Sequence, residues 1–209
     1  MRKYIVEFIG TFFLVLAISV VVIKGETGIP ALLGIGTVLI AMIYAGGHIS
    51  KAHYNPAVTL AFYIEGGVKT NLILGYIIAQ LAAAFIAPSV AMLIFSESGE
   101  LVEPTLIVHQ TMPSLLAEFL GTFSLVFVIL NVARGKGTKG NSFYGLAIGC
   151  TVIGCAYLFG SVSGGVFNPA VAISVVILGV VRIADIWIYM LANCLGAAVA
   201  AYTFIFTND

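Results

Sequence analysis

Charge is scarce in this sequence. Lys and Arg number 9, Asp and Glu 9, and together they make 9% of 209 residues, against about 25% in an ordinary soluble domain. That excludes a solvated globule. The formal net charge is zero, so there is no basic footprint for a nucleic acid, and no nucleic-acid partner is expected. Cysteines are few: Cys150, Cys155 and Cys194 match neither a disulfide framework nor a metal-binding spacing. His48 and His53 have no Glu or Cys at ligand spacing; loop hydrogen bonding is their expected use. No metal and no cofactor are therefore expected, and no nucleophile, base or metal constellation suggests an enzyme.

Apolar residues are abundant, at 61% of the chain, with mean hydropathy +1.13. A helix needs about 20 residues to cross roughly 30 Å of hydrocarbon. Runs of that length predict transmembrane helices at Tyr4–Ile23, Pro30–Gly46, Leu72–Phe95, Ser114–Asn131, Ser142–Gly160 and Ala184–Phe206. The N-terminal Met-Arg-Lys before an apolar run could mimic a secretory signal. Glu7 interrupts that run and no small-residue cleavage site is clear, so it is read as the first span.

Two apolar stretches, Pro56–Ile64 and Pro169–Leu178, are too short to span. At 1.5 Å per residue each covers about half the hydrocarbon, so half-helices are predicted. Both open on Asn-Pro-Ala-Val, at residues 55–58 and 168–171. Asn is a favoured N-cap, and Pro at the first helical position sacrifices no hydrogen bond.

The chain is one unit written twice. Glu-Phe-Ile-Gly-Thr-Phe at 7–12 returns as Glu-Phe-Leu-Gly-Thr-Phe at 118–123, and Tyr-Ile-Ile-Ala-Gln at 76–80 as Tyr-Met-Leu-Ala-Asn at 189–193. With the Asn-Pro-Ala-Val pair, the spacings are 118 − 7 = 111, 189 − 76 = 113 and 168 − 55 = 113 residues. Each repeat holds three spans and one re-entrant half-helix, and an odd number of spans inverts the second copy. The expected fold is all-α: a single transmembrane domain over 1–209, with repeat 1 over about 1–95, an external linker over about 96–113 and repeat 2 over about 114–209. Arg2, Lys3, Lys51, Lys69, Arg134, Lys136 and Lys139 fall on one side, Lys24 and Arg182 on the other. The positive-inside rule then puts both termini in the cytoplasm.

Inversion brings the two half-helix N-termini head to head near the midplane. Each carries about +0.5 charge, and Asn55 and Asn168 add amide donors at the pore centre. The irregular segments expected before them, Gly47–Tyr54 and Gly160–Phe167, would expose carbonyl acceptors. Irregular backbone at this depth is tolerated only when buried in protein or lining water. Central donors flanked by acceptors suit small uncharged hydrogen-bonding molecules and repel cations.

At these motifs the sequence resembles the aquaporin and aquaglyceroporin family, the major intrinsic proteins, over essentially its full length. The residues that carry the resemblance are Glu-Phe-Ile-Gly-Thr at 7–11, Gly-His-Ile-Ser-x-Ala-His-Tyr-Asn-Pro-Ala-Val-Thr at 47–59, Glu-Phe-Leu-Gly-Thr at 118–122 and Ser-Gly-Gly-Val-Phe-Asn-Pro-Ala at 163–170. The resemblance implies a plasma-membrane homotetramer in which each protomer has its own pore. It implies half-helix motifs at Pro56, Ala57, Pro169 and Ala170, and pore-lining carbonyls at Lys51, Ala52 and His53 and at Gly164, Gly165 and Val166. It implies an outer selectivity filter of Ile35, Ala156, Gly165 and Val171.

Two residues depart from the family pattern. Val171 stands where the family usually has Arg, so the filter should be wide and apolar. The resemblance then points toward larger neutral solutes such as glycerol, urea or undissociated metalloid acids, with water as co-permeant; a channel mainly for water is the alternative. Lys51 stands where the family usually has Gly, and reads as a loop residue of the positive side or as a bias against cations. Glu7 and Glu118 are ionisable groups inside spans, read as structural carboxylates for the re-entrant loops in preference to a proton relay. Gly145 and Gly149 suggest close helix packing, and Arg-Gly-Lys-Gly-Thr-Lys-Gly at 134–140 a cytoplasmic loop. Readings of another class are a coupled transporter, which two neutral amides do not equip, and a structural membrane protein.

Overall fold

A computed structural model describes residues 1–96, 101–103, 106–107 and 110–208. Among the described residues eight α-helices follow in chain order: α1 Arg2–Ile23, α2 Gly28–Ser50, α3 Pro56–Ile64, α4 Thr70–Phe95, α5 Thr111–Arg134, α6 Tyr144–Ser163, α7 Pro169–Ile177 and α8 Ile186–Asn208. All except α3 and α7 belong to the six segments long and apolar enough to cross a membrane. Their outward faces carry large apolar side chains, such as Leu74 (69% exposed), Leu93 (75%) and Phe206 (86%). In water such a surface would drive aggregation; in lipid it is the solvent-matched face. The chain is thus a multi-pass membrane protein.

The inverted repeat is plain in the packing. α1 lies against α2 and α4, as α5 lies against α6 and α8, and α2 meets α6 where the halves join. That junction is close because Gly36 and Gly149 face each other: a Cβ on either would press on Ile153 or Ile40 and on the opposite backbone carbonyl. Gly145, paired with Gly149 in the sequence, instead takes the Tyr44 ring.

The irregular segments are shorter than expected. α2 runs to Ser50 and α6 to Ser163, leaving only 51–55 and 164–168 outside helix. Gly46 looks like a terminator, but it is a contact glycine within α2: a Cβ there would collide with the Tyr54 hydroxyl. The helices end where the backbone turns left-handed, at Lys51 (φ 78°) and Gly164 (φ 91°), whose N–H groups donate to Gly47 O and Gly160 O. α7 stops at Ile177, with Leu178 as its C-cap.

The linker expected over 96–113 is likewise shorter, because α5 starts at Thr111. Pro113 sits in the first turn, where no intrahelical N–H bond is required. Glu97 and Glu100 lie outside the described residues. Of the rest, Val102 N–H donates to Ile23 O at 2.8 Å and Ile107 N–H to Val180 O at 2.9 Å, tying the linker to both repeats.

Candidate functional site

α3 and α7 begin at Asn55 and Asn168, both with extended backbone (φ −159° and −156°). Each side-chain oxygen caps its own helix: Asn55 Oδ1 accepts from Ala57 N at 2.8 Å, and Asn168 Oδ1 from Ala170 N at 2.9 Å. Pro56 and Pro169 hold the first helical position. The other end of each amide reaches across the repeat boundary. Asn55 Nδ2 donates to Phe167 O at 2.9 Å, and Asn168 Nδ2 to Tyr54 O at 3.0 Å. An amide nitrogen carries two N–H groups, so the loops consume one from each Asn and leave one.

The approach to each Asn is fixed from behind by a carboxylate. Glu7 Oε1 accepts from His53 N at 3.0 Å, while its Oε2 accepts from Tyr54 N at 2.7 Å and Gln80 Nε2 at 2.9 Å. Glu118 Oε1 accepts from Val166 N at 2.9 Å and Ser163 Oγ at 2.6 Å, and its Oε2 accepts from Phe167 N at 2.7 Å. Both side chains are wholly buried. Three residues after each Glu, Gly10 and Gly121 supply the flat seat on which the rings of Tyr54 and Phe167 lie; a Cβ on either would sit inside the ring. The repeated Glu-Phe-x-Gly-Thr box is therefore one device, a carboxylate for the loop amides and a gap for the loop aromatic.

With those amides turned to the carboxylates, the carbonyls are left over. Among the described residues, no protein group donates to the carbonyls of Lys51, Ala52, His53, Gly164, Gly165 or Val166, whereas those on either side are all engaged. Ser50 O accepts from Tyr76 Oη at 2.7 Å and Ser163 O from Tyr189 Oη at 2.6 Å. The loops repeat residue for residue even in strain. Ala52 and Gly165 lie at φ 50° and 64°, and Tyr54 and Phe167 both at 49°.

A cavity of about 200 Å³ runs past both loops. Ile35, Ala156, Gly165 and Val171 all border it, together with Asn55, Asn168, Ala52, His53, Gly164 and Val166. Lys51 does not; it lines a second cavity at the end that bears the chain termini. Pro56, Ala57, Pro169 and Ala170 stand behind the wall, in the first turns of the half-helices.

Sequence reasoning missed the helix faces that complete the wall, among them Leu14, Ile18, Leu39, Leu125, Ile129 and Val152. The signal was available. Leu14 and Ile18 correspond through the repeat to Leu125 and Ile129, Leu39 to Val152, Ile35 to Ile148 and Ile43 to Ala156. Val58 and Val171 correspond likewise and both reach the cavity.

The sequence model of the major intrinsic protein family matches residues 1–204. The chain belongs to the major intrinsic proteins. Similar members include Aquaporin NIP3-1 of Arabidopsis thaliana, 37% identical over 217 residues, covering 97% of this chain and 66% of the relative. Glycerol uptake facilitator protein-like 6 of Lactiplantibacillus plantarum is 36% identical over 212 residues, covering 97% of this chain and 96% of that protein. The X-ray structure of the aquaglyceroporin from Plasmodium falciparum superimposes with a TM-score of 0.82 at 22% identity, over 97% of this chain and 94% of that one. It shows the shared fold. In this major intrinsic protein Val171, 3% exposed, offers the cavity only methyl groups, and Gly165 and Ala156 border the same cavity.

Proposed function

We propose that this major intrinsic protein is a passive channel for small uncharged solutes, glycerol, urea or undissociated metalloid acids, with water as a co-permeant. One observation carries the reading: among the described residues, five carbonyls that accept from no protein group flank two amides that each retain an N–H, along an otherwise apolar cavity, and a sixth residue of the set, Lys51, borders the adjoining one. A neutral polyhydroxyl solute exchanges its water shell for those acceptors and donors, while an ion would lose solvation that the apolar wall does not replace. The opposed N-termini of α3 and α7 add positive potential at the crossing point, which disfavours cations and excess protons.

Ile35, Ala156, Gly165 and Val171 form the selectivity filter in this proposal, and Glu7 and Glu118 are structural carboxylates. The names of the relatives, an aquaporin and a glycerol uptake facilitator protein-like chain, support the same solute class. We further propose a homotetramer in the plasma membrane with both termini cytoplasmic, an orientation supported by the lysines and arginines gathered at the terminus-bearing face.

The test is stopped-flow light scattering on proteoliposomes, comparing an impermeant osmolyte with glycerol, urea and undissociated boric or arsenous acid. The chain should pass the larger solutes, and Val171→Arg should suppress them more than it suppresses water. Water flux with every larger solute at background would refute the wide filter.

A further inference from the structure

We propose that the vestibule at the terminus-bearing end binds a small phosphate-bearing anion, inorganic phosphate or a phosphate monoester, and that the bound anion obstructs the channel. The proposal rests on the channel reading above. The vestibule is a second cavity of about 500 Å³, bordered by His48, Lys51, Arg134, Lys136 and Lys139 and, among the described residues, by no carboxylate. It shares Ile43, Ala52, Ile129 and Ile148 with the channel cavity, so the two are consecutive and the throat between them is apolar.

The charges at the two ends of the molecule are handled differently. At the opposite end Lys24 pairs with Glu26 at 3.3 Å and Arg182 with Asp185 at 2.7 Å. In the vestibule only Arg134 is matched, gripped by both Glu65 oxygens at 2.9–3.1 Å. Lys51, Lys136 and Lys139 have no ion-pair partner among the described residues.

Nor is the loop that presents two of them a slack one. Thr138 Oγ1 donates to Asn131 O and Gly135 O at 2.5 and 3.1 Å, and Asn141 Nδ2 to Val132 O and Thr138 O at 2.7 and 2.6 Å. Three lysines from two separate segments thus border one concavity whose inner end is apolar, which concentrates their field.

Several lysines bordering one cavity suit an ion with several charged oxygens better than chloride. The phosphoryl group would be held at the lysines, and a monoester's neutral part would rest on the throat at Ala52 and Ile148. Carrying the charge further would strip its hydration in the apolar cavity, so the anion stops at the mouth.

The test uses proteoliposomes of phosphatidylcholine alone, so that added inorganic phosphate is the one phosphate source apart from zwitterionic lipid, with ionic strength held constant by chloride. Glycerol flux should fall as millimolar phosphate replaces chloride on both sides. The Lys136→Gln/Lys139→Gln double variant should keep its basal flux and need about tenfold more phosphate for equal inhibition, the loss of about 1.4 kcal/mol of binding. Normal basal flux indifferent to phosphate would overturn the proposal, as would equal inhibition of the variant. Absence of glycerol flux without phosphate would instead defeat the channel reading. Binding is then read by ³¹P line broadening on the solubilised chain: broadening weakened in the double variant supports the site, and none in either protein refutes it.

Discussion

Replacing Glu118 by Gln exchanges one oxygen for an NH2 group and changes little else in size. Among the described residues the Glu118 carboxyl group is met only by donors: Val166 N and Ser163 Oγ at Oε1, Phe167 N at Oε2. A Gln that keeps its oxygen at the Oε1 position retains two of these bonds and turns an N–H toward the Phe167 N–H. One buried backbone donor is then orphaned, a cost of about 1–3 kcal/mol. The two surviving bonds lose their charge assistance, which roughly halves each. The total is about 2–4 kcal/mol, enough to loosen the loop that positions Asn168. SDS titration in mixed micelles reads that free energy directly, and glycerol flux should fall with it. A Glu118→Gln protein within about 1 kcal/mol of the parent would refute the reasoning, because it would mean the side chain already carries a proton and acts as a neutral acid.

Lys51→Gly should stabilise the protein. A non-glycine residue in the left-handed region costs about 1–2 kcal/mol, and glycine's larger unfolded-state entropy returns about 0.5–1 kcal/mol, so the same micelle titration should show a net gain of about 0.5–1 kcal/mol. Gly121→Ala should destabilise by about 1–3 kcal/mol through overpacking against the Phe167 ring. Gly154→Ala, where a Cβ would meet nothing within 4 Å, should be neutral or gain up to about 1 kcal/mol as an exposed helical alanine; equal losses at the two sites would contradict the seat described for Phe167.

The architecture was legible because its signals are local or periodic. The repeat announces the inverted halves, and each Asn-Pro pair announces a helix start regardless of tertiary context. The ends of α2 and α6 were not legible. Gly46 carries the composition of a helix terminus but serves as a contact point for Tyr54 Oη, and Gly160 lies inside α6, where a Cβ would meet nothing within 4 Å. Departures from internal symmetry were also hidden. Gln80 reaches both Glu7 and Thr59, whereas its counterpart Asn193, one methylene shorter, accepts from Thr122 Oγ1 at 2.9 Å and leaves its own Nδ2 without a partner among the described residues. The crossing bonds of Asn55 and Asn168 join residues more than a hundred positions apart, and sequence spacing alone does not say which acceptor a capping Asn will find.

The half-helices do not rest mainly on their own repeats. α3 packs chiefly on α8 and touches α5, while α7 packs chiefly on α4 and touches α1. Each re-entrant segment is therefore a guest in the other half. A ribosome that has released only the first half has made three spans and a short re-entrant hook with nowhere to dock. Conduction is then a property that arrives late in biosynthesis and all at once, when the second half closes over the first. A chain broken between α4 and α5 would yield not two narrow channels but two incomplete pieces, each still holding the seat that the other requires.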